Sequence, residues 1–269
     1  MAQKNDIMWP KLNRELGLMA VLSLTVIAAA LLLSAVSQPD DYHDFADQRS
    51  FWSVPNFNDV ISNIAFIISG SAGLVLLFRF YTSATPQAFH HIRECIPYAL
   101  LFLSVVAAGF GSTYYHWSPD NDRLMWDRLP IAISIVTLLS ATFTDRVSVK
   151  LGLWILLPLI ILAITSVLYW YWTELQGVGN LNLYIAVQFY SIVLIAWVGL
   201  RFPSRYTHGT YIFHVIALYG LAKIVEILDA QIFTWSNGIV SGHTLKHLIA
   251  ALAAYRIVQM LRNRVLLAR

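Results

Sequence analysis

The sequence predicts an all-α protein built as a polytopic bundle of membrane-crossing helices. Three observations carry that reading. Of 269 residues, 58% are hydrophobic and only 12% are charged, roughly half the charge that wets an ordinary soluble domain. The apolar residues come in runs close to the about 20 residues that cross a bilayer as a helix. Mean hydropathy is +0.61, and in lipid an isolated strand leaves backbone groups unpaired, so such runs fold as helices. No internal repeat or low-complexity linker divides the chain, which reads as a single transmembrane domain over 1–269.

Eight spans follow in order, at 16–37, 58–80, 96–116, 124–143, 151–172, 181–200, 209–229 and 243–261. The first has a basic start (Lys4, Lys11, Arg14) and ends near Ala35-Val36-Ser37. A cleaved signal peptide shares those features, but its apolar core is usually about 7–15 residues, so a retained helix is the better reading. The connector Gln38 to Phe57 leads into the second span, and Tyr81 to Cys95 into the third. A short turn from Trp117 to Arg123 reverses the chain into the fourth. Thr144 to Lys150 precedes the fifth, which closes on Tyr169-Trp170-Tyr171-Trp172, read as an interfacial aromatic belt. Thr173 to Asn180, Arg201 to His208 and Ala230 to Gly242 connect the remaining spans.

The net charge of +3 comes from a shortage of acids rather than from a basic patch, which excludes a nucleic-acid footprint. The lone Cys95 excludes an internal disulfide and a Cys-rich metal site. With the N-terminus inside, thirteen of the 18 basic residues fall on the cytoplasmic side: Lys4, Lys11, Arg14, Arg79, Arg93, Arg146, Lys150, Arg201, Arg205 and the four arginines from Arg256 onward. Arg49, Arg123 and Arg128 fall outside, with Lys223 and Lys246 inside spans. That asymmetry predicts both termini in the cytoplasm.

Histidines and carboxylates in or beside spans are costly and call for a reason. The third span ends with Ser112 and His116 at i, i+4, on one helix face. Asp127 lies in the first turn of the fourth span, and the last span opens with His243 and His247, again i, i+4. The alternation of directions places His116, Asp127, His243 and His247 near the outer (periplasmic) face. Three imidazoles from two helices suit Zn²⁺ with a fourth position open for water, the arrangement of catalytic zinc. Zinc acidifies that water, Asp127 is placed to act as general base, and Ser112 to steady an oxyanion. Each piece has a plainer reading. A His-x-x-x-His pair often decorates a surface, a membrane serine bonds its own backbone, and an acid at a helix start answers the dipole. Lys223 and Glu226 read as an ion pair locking helices, with Lys246 or Asp229 as a further partner, while His90, His91 and His208 read as solvated loop residues. His214 reads as a hydrogen-bonded residue inside the bundle, and His43 as a minor site candidate.

Ser112-x-x-x-His116, Asp127 eleven residues later, and the C-terminal His243-x-x-x-His247 resemble the alkaline ceramidases. These belong to a superfamily of seven-helix membrane hydrolases that also includes the adiponectin-receptor-like proteins. Asn56-Phe-Asn-Asp-Val-Ile-Ser62-Asn63 is similar to that family's first-helix signature. The resemblance covers about 45–262, a seven-helix core, and makes 16–37 an extra N-terminal helix. The compact loops are similar to those of bacterial members. The resemblance implies zinc on His116, His243 and His247, a water-orienting Asp127, a catalytic Ser112, and hydrolysis of the amide of ceramide or a related N-acyl lipid drawn from the bilayer. Eukaryotic members also carry an acidic calcium-binding segment. Here Asp44 to Trp52 is acidic but Asn56 stands at a family glutamate position, which leaves calcium open. A receptor-like or scaffolding bundle with structural zinc, or a hydrolase of another acyl lipid, are the alternatives.

Overall fold

The apolar runs wind into helices because nothing else satisfies a lipid-embedded backbone, and polar capping residues set their ends. α1 spans Met8–Leu32, α2 Phe57–Ile61, α3 Ile64–Thr82, α4 Cys95–Trp117, α5 Asn121–Arg146 and α6 Val149–Leu175. α7 (Asn182–Ile185) runs through a π turn at Ala186–Tyr190 into α8 (Ser191–Arg201), and α9 (Tyr211–Ile227), α10 (Asp229–Trp235) and α11 (Gly242–Asn263) complete the chain. The computed structural model describes residues 8–82 and 88–267, and these are all-helical, without a named strand. Lys4 and Arg269, part of 81–95, and the side chains of Lys11 and Asp40 lie outside the described residues.

Among the described residues six helical segments are long and apolar enough to cross a membrane, or seven if α9 and α10, bent by 77° at Leu228, count as one. The sequence reading of eight spans differs at four places. The first helix begins and ends earlier than 16–37. The second span breaks at Ser62 and Asn63 between α2 and α3. The connector 230–242 contains most of α10. The last helix, 22 residues long, is not among the apolar segments: His243, Lys246, His247 and Arg256 dilute it, and it packs instead between α3 and α9.

α5 is the most buried of the apolar helices and α1 the least. α4 lies between α3 and α5, and α6 covers α5 on the other side. α1 is held to α8 at one end, where Glu15 accepts from Trp197 (3.2 Å) and pairs with Arg201 at 2.5 Å. The same end of the bundle is locked by buried charge. Arg264 pairs with Asp145 at 2.6 Å, donates to the Ala88 carbonyl at 2.7 Å, and stacks on Phe89 and Tyr206. Glu94 pairs with Arg205 at 3.5 Å and accepts from the Tyr206 hydroxyl. Arg264, counted among the cytoplasmic-side charges, is thus a packed residue. His214 is exposed beside Tyr211, not inside the bundle, because its face of α9 points away from α11.

Candidate metal centre

Local chemistry at three helix ends builds the site. α4 stops at Trp117 ahead of Ser118-Pro119, since a residue before proline is pushed out of the helical region. The Asn56 amide donates to the His116 carbonyl at 2.9 Å, satisfying one of the free carbonyls of that last turn. Asp120 restarts the chain as the α5 cap by accepting from the Arg123 backbone at 2.7 Å. α11 is capped by Ser241, which accepts from Thr244 N at 3.0 Å. Asp229 accepts from His243 N at 2.7 Å and from Ala46 N at 3.0 Å, fastening the start of α11 to the segment before α2.

His116 from α4 and His243 and His247 from α11 are all buried, and one ligand nitrogen from each lies within 4.8 Å of the other two. The His116 and His243 Nε2 atoms are 3.2 Å apart, close to the roughly 3.3 Å that two nitrogens about 2.0–2.1 Å from one tetrahedral zinc keep between them. Hydrogen bonding orients the third ring. The Ser62 hydroxyl sits 3.1 Å from the Asp59 carbonyl and 2.8 Å from His247 Nδ1. Its one proton goes to the carbonyl, so it accepts from Nδ1–H, and Nε2 is left with a free lone pair. That atom is buried without a hydrogen-bond partner, as a ligand atom awaiting a cation is. The three histidines therefore form a group that fits a metal ion. No cysteine, acid or fourth histidine among the described residues joins it.

Phe45 lies over the group, with ring centroids 4.6 Å from His116 and 4.5 Å from His243. The acidic segment around it is tied down by Asp47, whose carboxylate takes Arg49 and Asn58 at 2.7–2.8 Å. Burial pushes that carboxyl up, but the hydrogen bonds from Arg49 and Asn58 outweigh it and hold it below the usual carboxylate range. His43, the minor candidate, is spoken for: its two nitrogens meet Tyr115 and Asn121 at 2.9 and 3.0 Å.

Ser112 and Asp127 face each other across α4 and α5. The serine lies beside the carboxylate on the cavity wall, and Asp127 Oδ1 is buried without a hydrogen-bond partner. Both line a cavity of about 180 Å³ that His247 also lines. Its polar end includes Lys223, Glu226 and Lys246; deeper in, Leu101, Val105, Ile135, Leu138 and Ile257 make it apolar. Glu226 bridges Lys223 (2.7 Å) and Lys246 (3.0 Å), so the expected ion pair exists, and it ties α9 to α11. Lys246 also lies 2.9 Å from His243 Nε2, at the edge of the metal group. Tyr184 and Gln188, i and i+4 in the sixth apolar segment, line the same cavity.

All five residues singled out from the sequence thus meet at one place: three as a metal group and two beside the cavity. Sequence reasoning missed the role of Ser62 and Asp59 behind His247, and Arg128 with Trp170, while Lys246 joins the Lys223–Glu226 pair as one of the two partners weighed for it. Arg128 was counted as an outer charge and Trp170 as interfacial; both are buried, with the guanidinium 4.1 Å over the indole ring. A charge directly following Asp127, inside a helix, was the available signal. Together these features define an all-helical chain with several membrane-length apolar helices and a buried three-histidine group opening on an apolar cavity. No protein-family model matches the chain, and no curated protein matches it by sequence.

Proposed function

We propose that this protein is a zinc-dependent membrane hydrolase that cleaves the amide of an N-acyl lipid, in the manner of the alkaline ceramidases it resembles, with a seven-helix core over about 45–262. The observation that carries the reading is the convergence of His116, His243 and His247 on one point beside Asp127, at the polar end of an apolar cavity. The three imidazoles would hold the ion, which when bound supplies a Lewis acid and an acidified water. Phe45 and the buried helix ends exclude bulk water from the group, which strengthens every electrostatic contact there. The apolar depth of the cavity takes the acyl chain and aligns its carbonyl with the polar end. Asp127 takes the proton of the attacking water at its free Oδ1 and returns it to the leaving nitrogen. Ser112, on the same cavity wall as Asp127, turns its hydroxyl to the charge that develops on the carbonyl oxygen. Lys246 and Glu226 hold the rim beside His243. The site lies at the outer face in the proposed orientation, with both termini cytoplasmic.

A scaffolding role for the metal calls for a closed set of four protein ligands, and the group has three. The test is purified protein in detergent, assayed for bound metal and for release of fatty acid from a fluorescent N-acyl sphingoid lipid. We expect about one zinc per chain and hydrolysis that falls by at least about 10²-fold in Asp127→Ala and His243→Ala. Hydrolysis that survives both substitutions overturns the mechanism.

A further inference from the structure

Arg128 follows Asp127 in α5 and is 3% exposed, yet it makes no ion pair and no hydrogen bond among the described residues. Its Nε and Nη1 are buried without partners. Three rings surround it: Trp170 at 4.1 Å, and Tyr42 and Tyr184 at 5.1 Å from the guanidinium carbon. Aromatic faces attract a cation but give its N–H groups no acceptor in their own plane. The Trp170 indole N–H is buried without an acceptor as well. Glu174, one turn beyond Trp170, is held by Asn121 and makes no ion pair with Arg128.

The cavity wall repeats this imbalance. Arg128, Lys223 and Lys246 line it against Asp127 and Glu226 alone, and Glu226 is already shared by the two lysines. The lining is therefore one anion short, and the spare cation is the one with a planar fork shaped for a carboxylate or phosphate. A buried unpaired charge is expensive unless a ligand completes it.

We propose that Arg128 is the anchor for an anionic group on the polar half of the lipid, so that the substrate is an N-acyl lipid whose amine portion carries a carboxylate or phosphate. That the anion sits on the amine portion rests on the lipid-amidase reading. The tail occupies the apolar depth, the amide lies beside Asp127, and the next residue of the same helix grips the anion. Tyr42 and Tyr184, which line the cavity, flank the headgroup while Trp170 backs the guanidinium.

Equilibrium binding by calorimetry in detergent tests this without requiring turnover. The probes are N-palmitoylglycine, its neutral counterpart N-palmitoylethanolamine, and inorganic phosphate alone. We expect the carboxylate lipid to bind at least about tenfold more tightly than the neutral one, Arg128→Gln to erase the difference while keeping neutral-lipid affinity, and Arg128→Lys to keep part of it. Equal affinity of the unaltered protein for both lipids overturns the proposal, and that comparison needs no variant to fold. A preference that persists in Arg128→Gln also overturns it. Phosphate displacing the anionic lipid at equal concentration assigns the cage to a free anion and overturns the headgroup assignment. Fatty-acid release from each lipid is measured separately. Anion preference without hydrolysis defeats the amidase reading alone, and hydrolysis without anion preference defeats this one alone.

Discussion

A hydroxyl has one proton to give, and the Ser62 proton is directed to the Asp59 carbonyl, which makes the serine an acceptor for His247 Nδ1–H. The consequence is chemical rather than structural: it selects the ring form whose Nε2 can bind a cation, and it aims that atom. Partners of this kind, one shell behind the ligand, typically set metal affinity by about 10–100-fold. Ser62→Ala leaves the helix break between α2 and α3 intact, because the backbone bonds there do not use the hydroxyl. We expect it to release zinc at about 10–100-fold lower concentration of a competing chelator than the parent protein needs, with an unchanged melting profile of the metal-free form. Ser62→Thr, which keeps the oxygen, restores retention. Equal retention by Ser62→Ala and the parent removes the tautomer argument.

Ser112 and Asp127 meet because two helices pass unusually closely. Pro130 lacks an N–H, so the Trp126 carbonyl four residues earlier in α5 loses its helical partner. Gly111 of α4 rests against that carbonyl, and a Cβ there would overlap it. The glycine thus sets the spacing of the turn that presents Ser112 to the turn that presents Asp127. Gly111→Ala forces the helices apart, an overpacking that costs about 1–3 kcal/mol. We expect a protein that still folds, melts a few degrees lower, and loses far more turnover than binding of zinc, since the three ligands come from other turns. Turnover equal to that of the parent shows the crossing to be slack. The helix existence and most boundaries were legible in the sequence because apolar runs near membrane length admit few alternatives. So was the gathering of His116, Asp127, His243 and His247, since helix direction alternates and each residue lies at a helix end. The bend at Leu228, the break at Ser62 and the π turn at Ala186–Tyr190 were not, because each segment stays long and apolar enough on average to cross a membrane when read across them. Arg128 and Trp170 were misplaced for a related reason. A charge and an indole near a helix end resemble a membrane boundary until a neighbouring helix covers them, and only packing reveals the cover.

We propose an orientation for the bundle from the charges that remain at its surface once the buried ones are set aside. Arg128 and Arg264 are buried, and so carry no information about which face meets anionic lipid or the cytoplasm. Among exposed basic residues, Arg14, Arg79, Arg93, Lys150, Arg201 and Arg262 cluster at the end opposite the metal group, while Arg49 lies near it. The contacts of Glu15 with Arg201, Glu94 with Arg205 and Asp145 with Arg264 confirm that those helix ends share one face. The bias therefore survives the correction, and on the positive-inside rule we propose that the metal group lies outside. Single cysteines placed on a Cys95→Ser background read this directly. We expect Ile239→Cys and Gln176→Cys, at exposed positions on the metal-group side, to react with a membrane-impermeant maleimide in intact cells. Lys150→Cys and His208→Cys, exposed at the other end, react only after permeabilisation. The reverse pattern inverts the protein and makes the inner leaflet the source of its lipid, because the polar mouth of the cavity and the three histidines lie at the same end and turn over together.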